Sequence, residues 1–224
     1  MNPHPALRLA LVLAVGMSWL AGAAADYSVA ERALFMDDHL GRLQPPLTLR
    51  YDYRKTGTLE EPFEDKVILA LAAQADGTCC AVSAEFFTGK RVMRMPAVES
   101  AQGNPAILYF LERDIREMQR LTQGQPNYFR KRIRMAVYQD AAVRSVTLSW
   151  RGQAVPVQEI SIAPYLDDPN RARFEKLAGK RYVFLLSEAV PGGLYGIRTR
   201  IDGESAAAPL LAEEMLLEGA ARQP

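Results

Sequence analysis

Nine consecutive residues, Asn127-Tyr128-Phe129-Arg130-Lys131-Arg132-Ile133-Arg134-Met135, hold the densest run of chemistry-bearing side chains in the sequence. Read as a strand, they place Tyr128, Arg130, Arg132 and Arg134 on one face at intervals of about 6.6 to 6.8 Å, with Phe129, Ile133, Met135 and Val137 on the other. The result is a cationic ladder over an apolar face. Forked guanidinium donors would hold phosphate or carboxylate groups, as anionic headgroups or an acidic partner present them. Arg113, Arg116 and Arg120 lie just upstream and extend the same surface if their helix covers the strand. The plainer reading is an exposed face whose arginines pair with Glu112, Asp114 and Glu117 while their stems cover apolar surface.

The other candidates are sparse. His39 is the one histidine beyond the first twenty-five residues, and it sits beside Asp37 and Asp38. Imidazole titrates near neutral pH and carboxylates can orient it, so half a metal site or a general base is its functional reading. Zinc requires three or four protein ligands, which the sequence does not supply, so a solvated histidine near a helix end is the favoured reading. Neither a G-x-S-x-G nor an S-x-x-K sequence occurs, and a nucleophilic Cys79 or Cys80 would have to recruit the same histidine. Gly192-Gly193 lacks the lysine and spacing of a phosphate cradle. The acid pairs Glu60-Glu61, Asp167-Asp168 and Glu213-Glu214 read as caps or solubilising charges rather than as a glycosidase pair, with Asp168 as a helix cap. Cys79 and Cys80 are neighbours in a predicted strand, where side chains alternate between faces. Two small, partly buried hydrophobes are the ordinary reading of them, and a vicinal disulfide is the alternative. No metal or other cofactor is expected.

The elements that position these residues follow from periodicity. Val29, Ala33, Leu34 and Leu40 have helical spacing before the Pro45-Pro46 break. Leu47 to Arg54 alternates as a half-buried strand; strands over Lys66–Ala73, Thr78–Phe87 and Arg91–Met95 follow, with a turn at Asp76-Gly77. Asn104-Pro105 opens the clearest helix, running to about Leu121 with Ile107, Leu108, Leu111, Ile115 and Met118 as its stripe and Glu112-Arg116 as a four-residue pair. Three strands then read as a meander: Tyr128–Tyr138, Val143–Trp150 and Ala154–Ile162. A short helix from Asp168-Pro169 to Gly179 follows, and the hairpin turn Pro191-Gly192-Gly193 joins Arg181–Ala189 to Leu194–Asp202.

About nine strands in hairpin order predict an α+β fold, mainly antiparallel sheet. Its form is an open or half β-barrel covered by one strong helix and shorter ones. The aromatic set Tyr51, Tyr53, Phe86, Phe87, Phe129, Trp150, Tyr182 and Phe184 has two readings in such a fold. It fills a core, or else Tyr51, Tyr53, Phe86, Phe129, Trp150 and Phe184 line a ligand cavity.

The first twenty-five residues carry Arg8, an apolar run from Leu9 to Ala24, and Ala23-Ala24-Ala25. A basic start, a short apolar core and an A-x-A site read as a secretory signal. The expected organisation is a signal peptide over 1–25, one β-rich domain over 26–203 and a helix-prone or mobile tail over 204–224. An uncleaved anchor is the alternative, but the run is short for a bilayer and Gly16, Ser18 and Gly22 interrupt it. No cysteine adjoins the cleavage site, and no second apolar run reaches the roughly 20 residues of a spanning helix, so a periplasmic or secreted protein that is not integral to the membrane is expected. The formal charge of +1 falls to zero once Arg8 is removed. A neutral chain gives no reason to expect nucleic acid as partner.

From Val29 to Asp202, the order helix, hairpins, covering helix, further hairpins resembles the half-barrel of bacterial lipoprotein-localisation factors. The segment Asn104 to Arg134 also resembles an uncharacterised family of exported proteins from Gram-negative bacteria. The first resemblance implies a non-enzymatic carrier or sensor of a hydrophobic or lipidated molecule in the periplasm; neither supplies site residues. The arginine ladder supports a second reading, an envelope adaptor docking an acidic protein or anionic headgroups. A periplasmic hydrolase using carboxylates or His39 ranks third.

Overall fold

In the computed structural model, residues 27–77, 79–205 and 208–222 are described; the expected signal segment lies outside them. Strands β1 (Leu47–Thr56), β2 (Phe63–Ala73), β3 (Cys79–Phe86) and β4 (Met93–Val98) form one antiparallel meander. A second comprises β5 (Ala142–Trp150), β6 (Gln153–Ile162), β7 (Arg181–Leu186), β8 (Leu194–Ile201) and β9 (Leu211–Leu217). Pairing of β1 with β9 welds the two into one nine-stranded sheet of order β4-β3-β2-β1-β9-β8-β7-β6-β5, which does not close on itself. The α+β, open half-barrel expectation is met.

The chain leaves the sheet at one edge, β4, and re-enters at the other, β5. The helices between, α2 (Pro105–Thr122) and α3 (Pro126–Gln139), therefore cross one face of it. Asn104 caps α2 by accepting the Ala106 N–H at 3.0 Å, and Pro105 takes the first helical position, where an N–H would have no partner. Ahead of the sheet, the short helix α1 (Val29–Glu31) opens with a Ser28–Glu31 capping box and widens into a π-helical turn over Arg32–Met36. The helix read over Val29–Leu40 thus stops at Met36.

Two elements overturn the sequence reading. Tyr128–Tyr138 is not a strand but most of α3, which buries Phe129, Ile133, Ala136 and Val137 at helical spacing. Alternating positions on a helix are turned by about 200° from one another, so Arg132 points away from Arg130 and Arg134, which share a face one turn apart, and no three-membered ladder forms. Residues 204–224, expected as a tail, supply β9, a strand bonded on both sides. Between β6 and β7, the helix expected from Asp168 is two 3₁₀ turns, Arg171–Arg173 and Glu175–Gly179.

The sheet's inner face and the helices enclose one hydrophobic core. Tyr51, Tyr53, Phe86, Phe129 and Phe184 are fully buried and Trp150 is partly so. Their neighbours are other rings: Tyr53 and Phe87 have centroids 4.7 Å apart, Phe86 and Tyr109 6.4 Å, Phe129 and Phe174 5.7 Å. These aromatics fill the core and line none of the grooves described below.

Candidate functional site

Register lays a polar row across the inner face. Lys55, Glu213, Thr199 and Tyr182 are direct neighbours on β1, β9, β8 and β7. Over them α2 sets Arg113, Asp114 and Glu117. Glu213 Oε1 accepts from Arg113 Nη2 and from the Tyr53 hydroxyl, both at 2.7 Å, and Oε2 accepts from Thr199 Oγ1 at 2.8 Å. Lys180 Nζ lies 3.6 Å from Glu213 and is bonded to Asp114, whose second oxygen accepts from the Tyr182 hydroxyl at 2.6 Å. The Arg113 guanidinium sits against the rings of Tyr53, Phe87 and Phe110, and its Nε has no hydrogen-bond acceptor among the described residues. Lys55, at the end of the row, bonds Glu60 and Glu117, and Arg120 joins the same two carboxylates.

Two acids face two bases in the centre of this row, sealed from water. Burial alone would raise the Glu213 carboxyl, but Arg113 and Lys180, with hydrogen bonds from Tyr53 and Thr199, outweigh it and hold the group well below the usual carboxylate range. Burial opposes ionisation of Glu117 likewise, yet Arg120 and Lys55 hold it down at about 2. Each charge is matched, and the row fastens α2 to the sheet rather than presenting a group to a ligand. Read from the sequence as a cap or a solubilising charge, Glu213 is neither: it is buried in the middle of β9. Leu211, Glu213, Met215 and Leu217 share the inner face, and an acid inside such a period-two apolar series was the signal to find it.

The six arginines of the expected surface scatter. Arg130 grips Glu112 in a fork at 2.7 and 2.6 Å, a bond that chiefly accounts for a Glu112 carboxyl held below its usual value. Glu112 thus makes its contact ion pair with Arg130, while the exposed Arg116, four residues on, favours its charged form without a contact. Arg132 reaches the Pro164 carbonyl at 3.1 Å and Asp168 at 2.9 Å; buried Asp168 also accepts from the Asn170 N–H at 2.7 Å, a local turn rather than a helix cap. Arg113 is in the core and Arg120 in the Glu60–Glu117 cluster. Arg130 and Arg134 both border one open site; Arg130 is paired with Glu112 there, and Arg134 makes no ion pair among the described residues.

That site is a groove of about 350 Å³ between α1 with its π-helical turn, α2 and α3. Buried Leu111, Ile115 and Ile133 form its floor; Tyr27, Phe35, Met36 and Leu108 form its walls, and Glu31, Glu112, Arg130 and Arg134 its margin. Leu108 is 55% exposed and Met36 48%, so the walls present apolar surface to solvent.

A second depression of about 660 Å³ opens between segment 37–43 and the β7–β8 hairpin, lined by Asp37, Asp38, His39, Arg42, Gln158 and Glu188 among others. His39 is not a solvated histidine at a helix end. Its Nε2 lies 2.9 Å from the Ala33 carbonyl, and its Nδ1 accepts the Asn104 N–H at 3.1 Å. Both nitrogens are committed inside the protein, leaving none for a metal or a substrate proton. Among the described residues no group of three or more His, Cys, Asp or Glu side chains is placed to hold a metal. At the head of β3 the sulfurs of Cys79 and Cys80 are in contact, with Cys80 fully buried.

No protein-family model matches the sequence, and no curated protein does. Among solved structures, the fold has a weak architectural likeness to the lipoprotein LppX of Mycobacterium tuberculosis, at 10% identity and a TM-score of 0.34 over 87% of this chain and 94% of that one. A LolA-superfamily protein from Nitrosomonas europaea is similar at 8% identity and a TM-score of 0.25, again over 87% and 94% of the two chains. At these scores the likeness carries no argument about what this chain binds.

Proposed function

We propose that the protein is a non-enzymatic carrier or sensor of an amphipathic ligand, an apolar chain with an anionic head, held in the groove between α1, α2 and α3. The observation that carries this reading is the exposure of Phe35, Met36 and Leu108 around the floor of Leu111, Ile115 and Ile133, beside an Arg134 with no ion-pair partner among the described residues. Apolar surface left in water forgoes about 25 cal/mol per Å² until something covers it. A guanidinium at the rim supplies forked donors for a carboxylate or phosphate. The interior is packed with rings and the polar row, so the ligand lies outside the sheet rather than within it. No helix among the described residues is long and apolar enough to cross a membrane; placement in the periplasm rests on the leader-like residues 1–25.

The test is uptake of a fluorescent fatty acid by delipidated protein. Leu108→Asp should raise Kd at least tenfold, about 1.4 kcal/mol. Because Leu108 is more than half exposed, its replacement should leave stability within about 0.5 kcal/mol. Arg134→Ala should weaken binding by about threefold, an effect that shrinks as salt screens the head group. No uptake by the wild type, or uptake indifferent to Leu108→Asp, counts against the reading.

A further inference from the structure

We propose that His39 makes binding in this groove pH-dependent: its neutral imidazole ties the two walls of the groove together, and protonation in mild acid unfastens them. The inference rests on the groove being the binding site.

The tie is fixed by what each partner can do. A backbone N–H only donates, so the Nδ1 that faces Asn104 carries no proton; a carbonyl only accepts, so the Nε2 that faces Ala33 carries it. One neutral tautomer satisfies both bonds, and the imidazolium satisfies only one. Ala33 belongs to the π-helical turn that bears Phe35 and Met36, and Asn104 is the cap of α2, which bears Leu108, Leu111 and Ile115. A single ring thus spans from one wall to the other.

Neither partner has an easy alternative. The Asn104 side chain is already spent on the Tyr51 hydroxyl and the Gly192 carbonyl, both at 2.8 Å, and on the Ala106 N–H. The ring itself packs on Gly193, where even a Cβ would come within 3.0 Å of it and where φ is +68°. The wall it holds is short: three α-helical residues and one π-helical turn do not persist unsupported in water. Its other fastenings include the burial of Ala30, Ala33 and Leu34, the Ser28 Oγ bond to the Val137 carbonyl at 3.3 Å, and the Leu40 N–H to the Gln102 carbonyl at 3.1 Å.

The charges that line the depression with the ring are Asp37, Asp38 and Arg42 on its own segment and Glu188 across it. Arg42 and Glu188 pair with each other at 3.1 Å. Burial lowers the imidazole pKa from 6.5, and this outweighs the Ala33 bond and the two aspartates, which favour the charged form. The tied form is therefore complete above about pH 6.5, and proton uptake by the untied form draws the equilibrium away from it as pH falls. Glu112 is held below the usual carboxylate value by Arg130, so that margin of the groove keeps its ion pair over the same range.

The experiment uses 1-anilinonaphthalene-8-sulfonate, whose sulfonate keeps its charge throughout. Its Kd should rise at least threefold between pH 7.5 and 5.5 in the wild type and stay level in His39→Gln. Nitrogen-detected NMR of wild-type imidazoles, which needs no variant, should show a ring protonated at Nε2 alone at pH 7.5, titrating with the midpoint at which affinity falls. Absence of probe binding at pH 7.5 overturns the groove reading itself. Binding with a Kd that is level in pH, or with a midpoint different from that of the ring, overturns the His39 tie and leaves the groove standing.

Discussion

A chain that ends at Glu204 should not fold. Residues beyond it supply β9, which is bonded to β1 on one side and β8 on the other, and which alone joins the two meanders. Its removal turns two exposed sheet edges into four, each a row of unpaired backbone donors and acceptors. Leu211, Met215, Leu216 and Leu217 are all buried, and each such side chain contributes about 1.5–3 kcal/mol. Their sum approaches the whole stability of an ordinary domain, about 5–15 kcal/mol. Arg113 would also be left in the core without its carboxylate. Circular dichroism and denaturant unfolding of the truncated chain should show no cooperative transition; a soluble, cooperatively unfolding product would contradict the central place of β9.

Replacing Glu213 alone should be nearly as severe. In Glu213→Ala, Arg113, Tyr53 and Thr199 each lose a hydrogen-bond acceptor inside the core, and Lys180 loses one of its two carboxylates. Breaking a buried pair from one side costs about 3–5 kcal/mol, because the remaining charge stays desolvated. The double variant Arg113→Met with Glu213→Leu should recover much of that loss, since both charges leave together. A double variant no more stable than the single would mean that the row matters by its shape and not by its charge. The same carboxyl is depressed in the folded state, so its contribution is present at neutral pH and declines as pH falls below its ordinary value of 4.5. Glu213→Gln should flatten that part of the acid limb of the stability curve.

Much of the architecture is written in short-range signals. Asn104-Pro105 and the stripe from Ile107 to Met118 specify α2 within a few residues, because capping and helical spacing are local. The alternation of Leu49, Tyr51 and Tyr53 and the turn at Gly192-Gly193 specify strands and hairpins for the same reason, and with them the antiparallel class. Where two periods fit one segment, local signals do not decide. Arg130, Arg132 and Arg134 satisfy a strand's alternation, while Phe129, Ile133 and Val137 satisfy a helix; burial of the second set in the core, with Phe129 against Tyr165 and Phe174, decided for the helix. Residues 211–217 are ambiguous in the same way, and the open flanks of β1 and β8, more than a hundred and fifty and about ten residues away, made them a strand.

The candidate site was less legible than the fold. His39 and Arg134 stood out by residue type, but their partners Ala33, Asn104, Phe35 and Leu108 come from elements that meet only once α2 and α3 cross the sheet. Glu213 looked like a surface charge beside Glu214 until pairing with Lys55 and Thr199 turned it inward. The sequence by itself determined α2, the alternating strands outside α3 and β9, and the antiparallel class, since those depend on caps, turns and periods within a few residues. Only the tertiary structure decided which strand fills the centre, which charges are buried and where apolar surface stays open, because each of these is set by contacts between segments far apart in the chain.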